Sequence, residues 1–185
     1  AFALLDEMRG IALLPSVIAL NAALGVGERA ARWEGCLELL LQGARRADAG
    51  PIPDVLSYTL AAGACARGVQ WVVAVHLFTV LCSQNLQPLV VTHNVLATAC
   101  EKGMKWEAAL SFLAGLTSRR LEGDVITYSA CISACEKSWR WQEALALFKH
   151  MSWEVGIAPD VTLYSALVSA CVKGQQWERA LQHFG

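Results

Sequence analysis

Neither charge predominates in this sequence: fifteen Lys and Arg stand against sixteen Asp and Glu, a formal net charge of -1. No overall positive field draws the chain to a nucleic acid or an anionic membrane from a distance, so any such binding must come from local placement of cations. Long uninterrupted apolar runs are missing too, although 55% of the residues are hydrophobic. Pro15, Asn21, His76, Gln84 and Pro88 break the longest of them, whereas a membrane span needs roughly 20 continuous apolar residues. No phosphate loop, nucleophile elbow or paired-carboxylate arrangement occurs, and His76, His93, His150 and His183 share no register with a serine, cysteine or carboxylate. The sequence therefore predicts no catalytic residue, no cofactor and no small-molecule substrate. The chain opens at Ala1 without a methionine and stops at Gly185 inside a phrase met earlier. That predicts a longer parent chain, with any targeting segment outside these residues.

What the sequence does have is repetition. "DVITYSACISACEKSWRWQEAL", from Asp124 to Leu145, returns as "DVTLYSALVSACVKGQQWERAL", from Asp160 to Leu181. Trp33, Trp71, Trp106, Trp141 and Trp177 are separated by 38, 35, 35 and 36 residues. Self-similarity at a fixed period of this length marks a solenoid. With units starting at Val17, Val55, Val90, Val125 and Val161, every one of these tryptophans falls seventeenth. The eleventh place then holds Cys65, Cys100, Cys135 and Cys171, with Gly27 in the first unit, and the twentieth holds Ala74, Ala109, Ala144 and Ala180, with Cys36 in the first.

Each unit reads as two short helices. Tyr128, Ile132 and Cys135 recur at spacings of four and three, which puts them on one helical face. Gly68, Gly103 and Gly174 each follow a lysine or arginine, a helix stop signal, with Ser138 at the same place in the fourth unit. A second helix is expected near Trp141, with Ala144, Leu145 and Phe148 on its inner face, ending before "GIAPD". There Pro159 cannot continue a helix and Asp160 suits the start of the next. One such hairpin cannot cover its own apolar face, but a stack of them can. The fold class expected is an all-α solenoid of stacked antiparallel helix-turn-helix repeats.

Several residue types invite functional readings that packing explains as well. The four cysteines in one column would lie about 8–10 Å apart, a helix-packing distance beyond disulfide reach. They read as small core residues in a reducing compartment. Cys131 and Cys135 have no nearby histidine pair, which argues against zinc. The tryptophan column opens the second helices and reads as packing between hairpins. Trp139 and Trp153 fall off the repeat and are expected at the surface, with local packing as their default role.

The phrases "VITYSACISACEK", "VVTHNVLATACEKG" and "VLSYTLAAGACARG", each followed by tryptophan and an Ala/Leu-rich helix, resemble pentatricopeptide repeats. The resemblance covers a partial unit at 1–16, full units at 17–54, 55–89, 90–124 and 125–160, and a truncated one at 161–185. It implies a right-handed superhelix whose first helices line a groove for single-stranded RNA, one base per repeat. It also implies a mitochondrial or plastid setting. In this family the fifth and last residues of a unit read the base: here Asn21 with Asp54, Thr59 with Leu89, Asn94 with Asp124, and Ser129 with Asp160, while Ser165 has lost its partner. The family's preferences imply uracil for Asn with Asp and guanine for Ser with Asp, and a poor reading at Leu89. The second residues, Ile18, Leu56, Val91, Ile126 and the departure Thr162, are expected to clamp bases between units. The thirteenth place is basic throughout, as Arg29, Arg67, Lys102, Lys137 and Lys173. These cations are expected along the phosphate backbone, or as caps against a helix dipole, or both.

Two further functions stay open on the sequence alone. A tetratricopeptide-like scaffold binding protein partners is favoured by the negative charge, by the uncharged stretch between Arg67 and Glu101, and by Leu89. The irregular period and the polar pairs speak against it. A third reading makes the segment the guide of an enzyme domain elsewhere in its chain.

Overall fold

The computed structural model describes residues 16–45, 51–119 and 121–174. The regular elements among them are α1 (Val17–Arg29), α2 (Trp33–Arg45), α3 (Val55–Arg67), α4 (Trp71–Ser83), α5 (Val90–Lys102), α6 (Trp106–Ser118), α7 (Val125–Lys137), α8 (Trp141–Lys149) and α9 (Val161–Lys173). A π-helical turn, His150–Val155, continues α8. Odd-numbered helices begin at the valines that open the sequence phrases, and even-numbered ones at the tryptophans. Trp177, Ala180 and His183 lie outside the described residues.

The chain forms two compact units, Ala1–Val95 and Leu96–Gly185. In the first, α1 packs on α2 and α3, α2 on α3, and α3 on α4. In the second, α7 packs on α6, α8 and α9, and α8 on α9. Each is a run of helical hairpins in which consecutive first helices lie side by side and the second helices lie behind them. The sequence dictates this division. The inner first helices α3, α5 and α7 are rich in Ala, Cys, Ser and Thr and are buried over most of their surface: α3 buries Ser57 to Thr59 and Ala61 to Ala66. Second helices bury one stripe, such as Ala144, Leu145 and Phe148 in α8, with larger side chains reaching inward. Tyr128, Ile132 and Cys135 are buried together in α7.

The cysteines belong to this packing. Six of them, Cys36, Cys65, Cys100, Cys131, Cys135 and Cys171, are buried free thiols. Burial pushes Cys65, Cys100 and Cys135 up to about 11 and Cys131 up to about 12. They stay protonated at neutral pH and act as small apolar groups.

The first helices end where the glycines were expected to stop them, at Arg67 before Gly68 and at Lys173 before Gly174. The residue after the fourteenth place of the unit (Ala30, Gly68, Gly103 or Ser138) adopts the left-handed conformation: Ala31 (φ 52), Val69 (φ 59), Met104 (φ 54) and Trp139 (φ 61). Gly68 itself has φ -78 and Gly174 φ -76, conformations open to any residue. Two bonds close each turn. The Val69 N–H donates to the Ala66 carbonyl at 3.3 Å and the Gln70 N–H to the Cys65 carbonyl at 2.8 Å, a pattern repeated after α1, α5 and α7. The glycine serves space instead. A Cβ on Gly68 would meet Trp33 Cδ1 at 2.5 Å, and one on Gly174 would collide with the Trp141 ring. The tryptophan of one repeat thus presses on the turn of the next. In the fourth unit Ser138 occupies that place, its hydroxyl donating to the Met104 carbonyl at 3.2 Å. The Arg140 guanidinium there covers the Trp106 ring at 4.4 Å.

This reverses the usual assignment of which turn residue wants to be glycine. Val69→Gly relieves a left-handed β-branched residue and is expected to raise the unfolding free energy by about 1 kcal/mol. Gly68→Ala overpacks against Trp33 and is expected to lower it by about 1–3 kcal/mol. Urea unfolding of the two variants beside the parent measures both.

Candidate functional site

The base-reading pairs inferred from the sequence sit where one repeat ends and the next first helix begins. A helix N-terminus leaves backbone N–H groups without intrahelical partners, and a side-chain oxygen just before it satisfies one of them. Asp54, Asp124 and Asp160 do this for α3, α7 and α9, accepting from the N–H groups of Ser57 (2.8 Å), Thr127 (2.9 Å) and Leu163 (2.8 Å).

The first pair is joined directly. The Asn21 amide, on α1, donates to Asp54 Oδ1 at 3.2 Å and to Oδ2 at 3.3 Å, while its oxygen accepts from the Ser57 hydroxyl at 2.6 Å. Burial pushes the Asp54 carboxyl up. The Ser57 N–H and hydroxyl and the Asn21 amide outweigh it and bring the group below its ordinary value. It is held ionised and accepts hydrogen bonds only.

The second pair is closed. Thr59 is 6% exposed, its hydroxyl donates to the Val55 carbonyl at 2.7 Å, and it lies 2.9 Å from the Thr92 hydroxyl. Leu89, which supplies no capping oxygen, is 58% exposed, and its N–H donates to Thr92 Oγ1 at 3.3 Å. Of the third pair, Asn94 is buried in the first compact unit, and Asp124 caps α7 in the second. The fourth pair is open. Ser129 and Asp160 line a cavity of about 210 Å³ together with Ile126, Thr98 and Glu101. Asp160 also accepts from the Thr162 hydroxyl at 2.7 Å. This bond and the Leu163 N–H hold its carboxyl below the ordinary value. Ser165 is exposed and donates to the Val161 carbonyl at 2.8 Å.

The second residues of the units share one trait. Ile18, Leu56, Val91 and Ile126 are between 51% and 81% exposed, and Thr162 is exposed as well. Aliphatic side chains held in water at the same register of each first helix are available for an apolar contact. Trp139 and Trp153 are exposed too, with Lys173 and Lys149 each 5.7 Å from their respective rings.

All five cations of the thirteenth column stand in the last turn of their first helices, where they favour the helix dipole. Three of them are engaged by glutamates of the preceding repeat. Arg67 lies 3.6 Å from Glu28, Lys137 2.8 Å from Glu101, and Lys173 2.5 Å from Glu136. The Ser133 and Ser169 hydroxyls donate to Glu101 and Glu136 at 2.9 and 2.7 Å. Sequence reasoning missed these glutamates and the hydroxyls of Ser57, Thr92 and Thr127. Both carried a signal: a glutamate directly before the cation in the first, third and fourth units, and a hydroxyl three residues after the junction in the second, third and fourth. The latter pattern is the capping box seen at Asp54 and Asp124. Among the described residues, no group of three His, Cys, Asp or Glu side chains is placed to hold a metal, and no helix is long and apolar enough to cross a membrane.

Residues 111–174 match the family model of the pentatricopeptide repeat domain. Among solved structures, the chain is similar to the pentatricopeptide repeat protein PPR10 in complex with an 18-nt psaJ RNA element, at 26% identity and a TM-score of 0.81, covering 100% of this chain and 26% of that one. A structure of PPR10 from maize matches at 22% identity and a TM-score of 0.59, covering 98% of this chain and 30% of that one. The repeat domain of Arabidopsis thaliana protein-only RNase P 1 in complex with tRNA matches at 15% identity and a TM-score of 0.73, covering 89% and 86%, a likeness of fold. The chain thus spans about a quarter of the length of the first of these. No curated protein matches it.

The junction carboxylates make stability sensitive to acid. The Asp54 carboxyl titrates below its ordinary 3.8 when folded, so its contribution is complete above that value and is lost as the pH falls through the folded one. Between pH 5 and pH 2.5 (chosen to bracket the transition) the parent is expected to lose more unfolding free energy than Asp54→Asn, which keeps a capping oxygen without the titration. Urea midpoints at the two pH values give the comparison.

Proposed function

We propose that the chain, which matches the pentatricopeptide repeat model over residues 111–174, is a member of that family throughout and binds single-stranded RNA sequence-selectively, reading one base per repeat. The units are those at 17–54, 55–89, 90–124 and 125–160, flanked by partial ones. The observation that carries this reading is the fourth junction. Ser129, Asp160 and the exposed Ile126 line one opening of about 210 Å³, so a polar pair and an apolar face address the same space. Such a space suits a flat ring with hydrogen-bonding edges.

The protonation states suggest which edge. Asp160 is ionised and accepts only, so it pairs with the N–H groups of a Watson-Crick edge, and guanine offers two adjacent ones beside the small Ser129 hydroxyl. At the first junction the Asn21 oxygen is engaged by Ser57 and one amide N–H by Asp54. The remaining N–H donates, which suits a uracil carbonyl. Thr59 and Leu89 present nothing to a base edge, so the second repeat spaces the strand without reading it. Asn94 with Asp124 would read uracil in the same way. Ile18, Leu56, Val91 and Ile126 would cover the base faces by dispersion, and the cations of the thirteenth column would follow the phosphates. Binding itself is the activity: occupancy shields, remodels or positions a transcript, with no catalytic step in this segment. The family's organellar setting, mitochondrion or plastid, comes with this reading.

The test is fluorescence anisotropy against a randomised pool of short single-stranded RNAs, followed by sequencing of the bound fraction. Guanine enriched at the place facing Ser129, and uracil at those facing Asn21 and Asn94, is the expected result. Ser129→Asn is expected to exchange the guanine preference for uracil by roughly tenfold, about 1.4 kcal/mol. A folded, monomeric chain that binds no RNA at low salt would sink the proposal and favour a protein partner.

A further inference from the structure

The glutamates facing the basic column bear on how tightly each repeat can hold a strand, an inference that rests on the RNA-binding reading above. In three junctions the cation of one repeat meets the carboxylate of the repeat before it: Arg67 with Glu28, Lys137 with Glu101, Lys173 with Glu136. These carboxylates are partly sunk and their partners are more open. The Glu101 and Glu136 side chains are 20% and 13% exposed, against 41% and 32% for Lys137 and Lys173. Serine hydroxyls donate to the same oxygen of two of them, Oε1 of Glu101 and of Glu136. At the first junction the corresponding place is Gly63, where an added Cβ would meet Glu28 Oε1 at 2.8 Å. Burial pushes the Glu136 carboxyl up, but the hydrogen bonds from Lys173 and Ser169 and the charges of Lys173 and Lys137 bring it below its ordinary value. The arrangement is therefore a half-buried anion with a more exposed cation on top.

The third repeat differs. The twelfth residue of the unit before it is Ala66, which carries no carboxylate, and Lys102 is exposed and forms no ion pair among the described residues. A phosphate oxygen approaching Lys137 or Lys173 has to displace a glutamate oxygen and then lie near the carboxylate it displaced. One approaching Lys102 displaces only water and diffuse counterions.

We infer that Glu28, Glu101 and Glu136 are built-in competitors for the phosphate backbone, which hold down the grip of the second, fourth and fifth repeats and leave Lys102 as the strongest backbone contact among Arg67, Lys102, Lys137 and Lys173. The glutamates are positioning residues: they touch the cation, and the cation touches the strand. Affinity is then graded along the array by the twelfth column while the base-reading pairs stay unchanged. A chain with a net charge of -1 can in this way hold RNA weakly enough for the base edges to decide which strand stays bound.

The test measures binding of a randomised short single-stranded RNA pool to the full chain across a salt series. Glu136→Gln keeps an oxygen for Ser169 and removes the charge. It is expected to tighten binding about threefold to tenfold at low salt and to steepen the log–log salt dependence by about 0.7, the value of one further phosphate contact on a single strand. Glu136→Gln with Lys173→Gln should lose that gain. Lys102→Gln, at an exposed site with no ion pair to break, should weaken binding and flatten the slope by about the same 0.7. Unchanged affinity and slope in Glu136→Gln, with helicity and melting matching the parent, overturns the inference and leaves RNA binding standing. So does tighter binding at an unchanged slope, since the effect would then not pass through phosphate. Absence of RNA binding by the parent overturns both.

Discussion

Three first helices of this array find a partner for an opening N–H group in the residue that ends the repeat before. Asp54, Asp124 and Asp160 sit in extended backbone with φ of -100, -94 and -95, the conformation from which a short carboxylate reaches forward to the third residue of the helix. At Asp54 the geometry commits Oδ1 to the Ser57 N–H and leaves Oδ2 3.3 Å from the amide of Asn21, the fifth residue of the preceding first helix. One carboxylate thus fixes the chain at the junction and offers an acceptor beside it. At Leu89 both are lost together. Thr92 turns its hydroxyl to the Leu89 N–H and to Thr59, and the neighbouring polar group is used up in holding the junction.

That double use explains why the sequence marks these residues so clearly and yet cannot say which role keeps them. A capping aspartate and a base-reading aspartate fall at the same register for reasons of backbone geometry alone. The helix starts, the tryptophan positions and the buried faces were equally legible, because each follows from a pattern local to one unit: periodic apolar residues, a cap, a proline. Tyr128, Ile132 and Cys135 needed nothing beyond their own helix to be placed inside.

The helix end was legible, but the conformation of the turn was not, because part of its cause lies one repeat away. Gly68 looks like a left-handed cap when only its own helix is considered, yet the left-handed residue is Val69, and the glycine answers to the Trp33 ring. No local rule connects positions 33 and 68. The connection appears only once consecutive first helices lie side by side and bring the seventeenth residue of one unit onto the fourteenth of the next.

The same geometry decides where the charges go. Glu136 and Lys137 adjoin in sequence and invite the assumption that they neutralise each other, but neighbours along a helix point about 100° apart and do not face one another. The side chain that faces Glu136 belongs to the next first helix, and it is Lys173. A row of cations read from one column is therefore not a row of free cations: its strength at each step depends on another column, shifted by one repeat. Where that column holds glutamate the pair ties two repeats together at the cost of field toward a ligand, and where it holds Ala66 it offers no carboxylate. Cohesion of the stack and attraction for a polyanion draw on the same lysines, so one can be strengthened at a junction only by weakening the other.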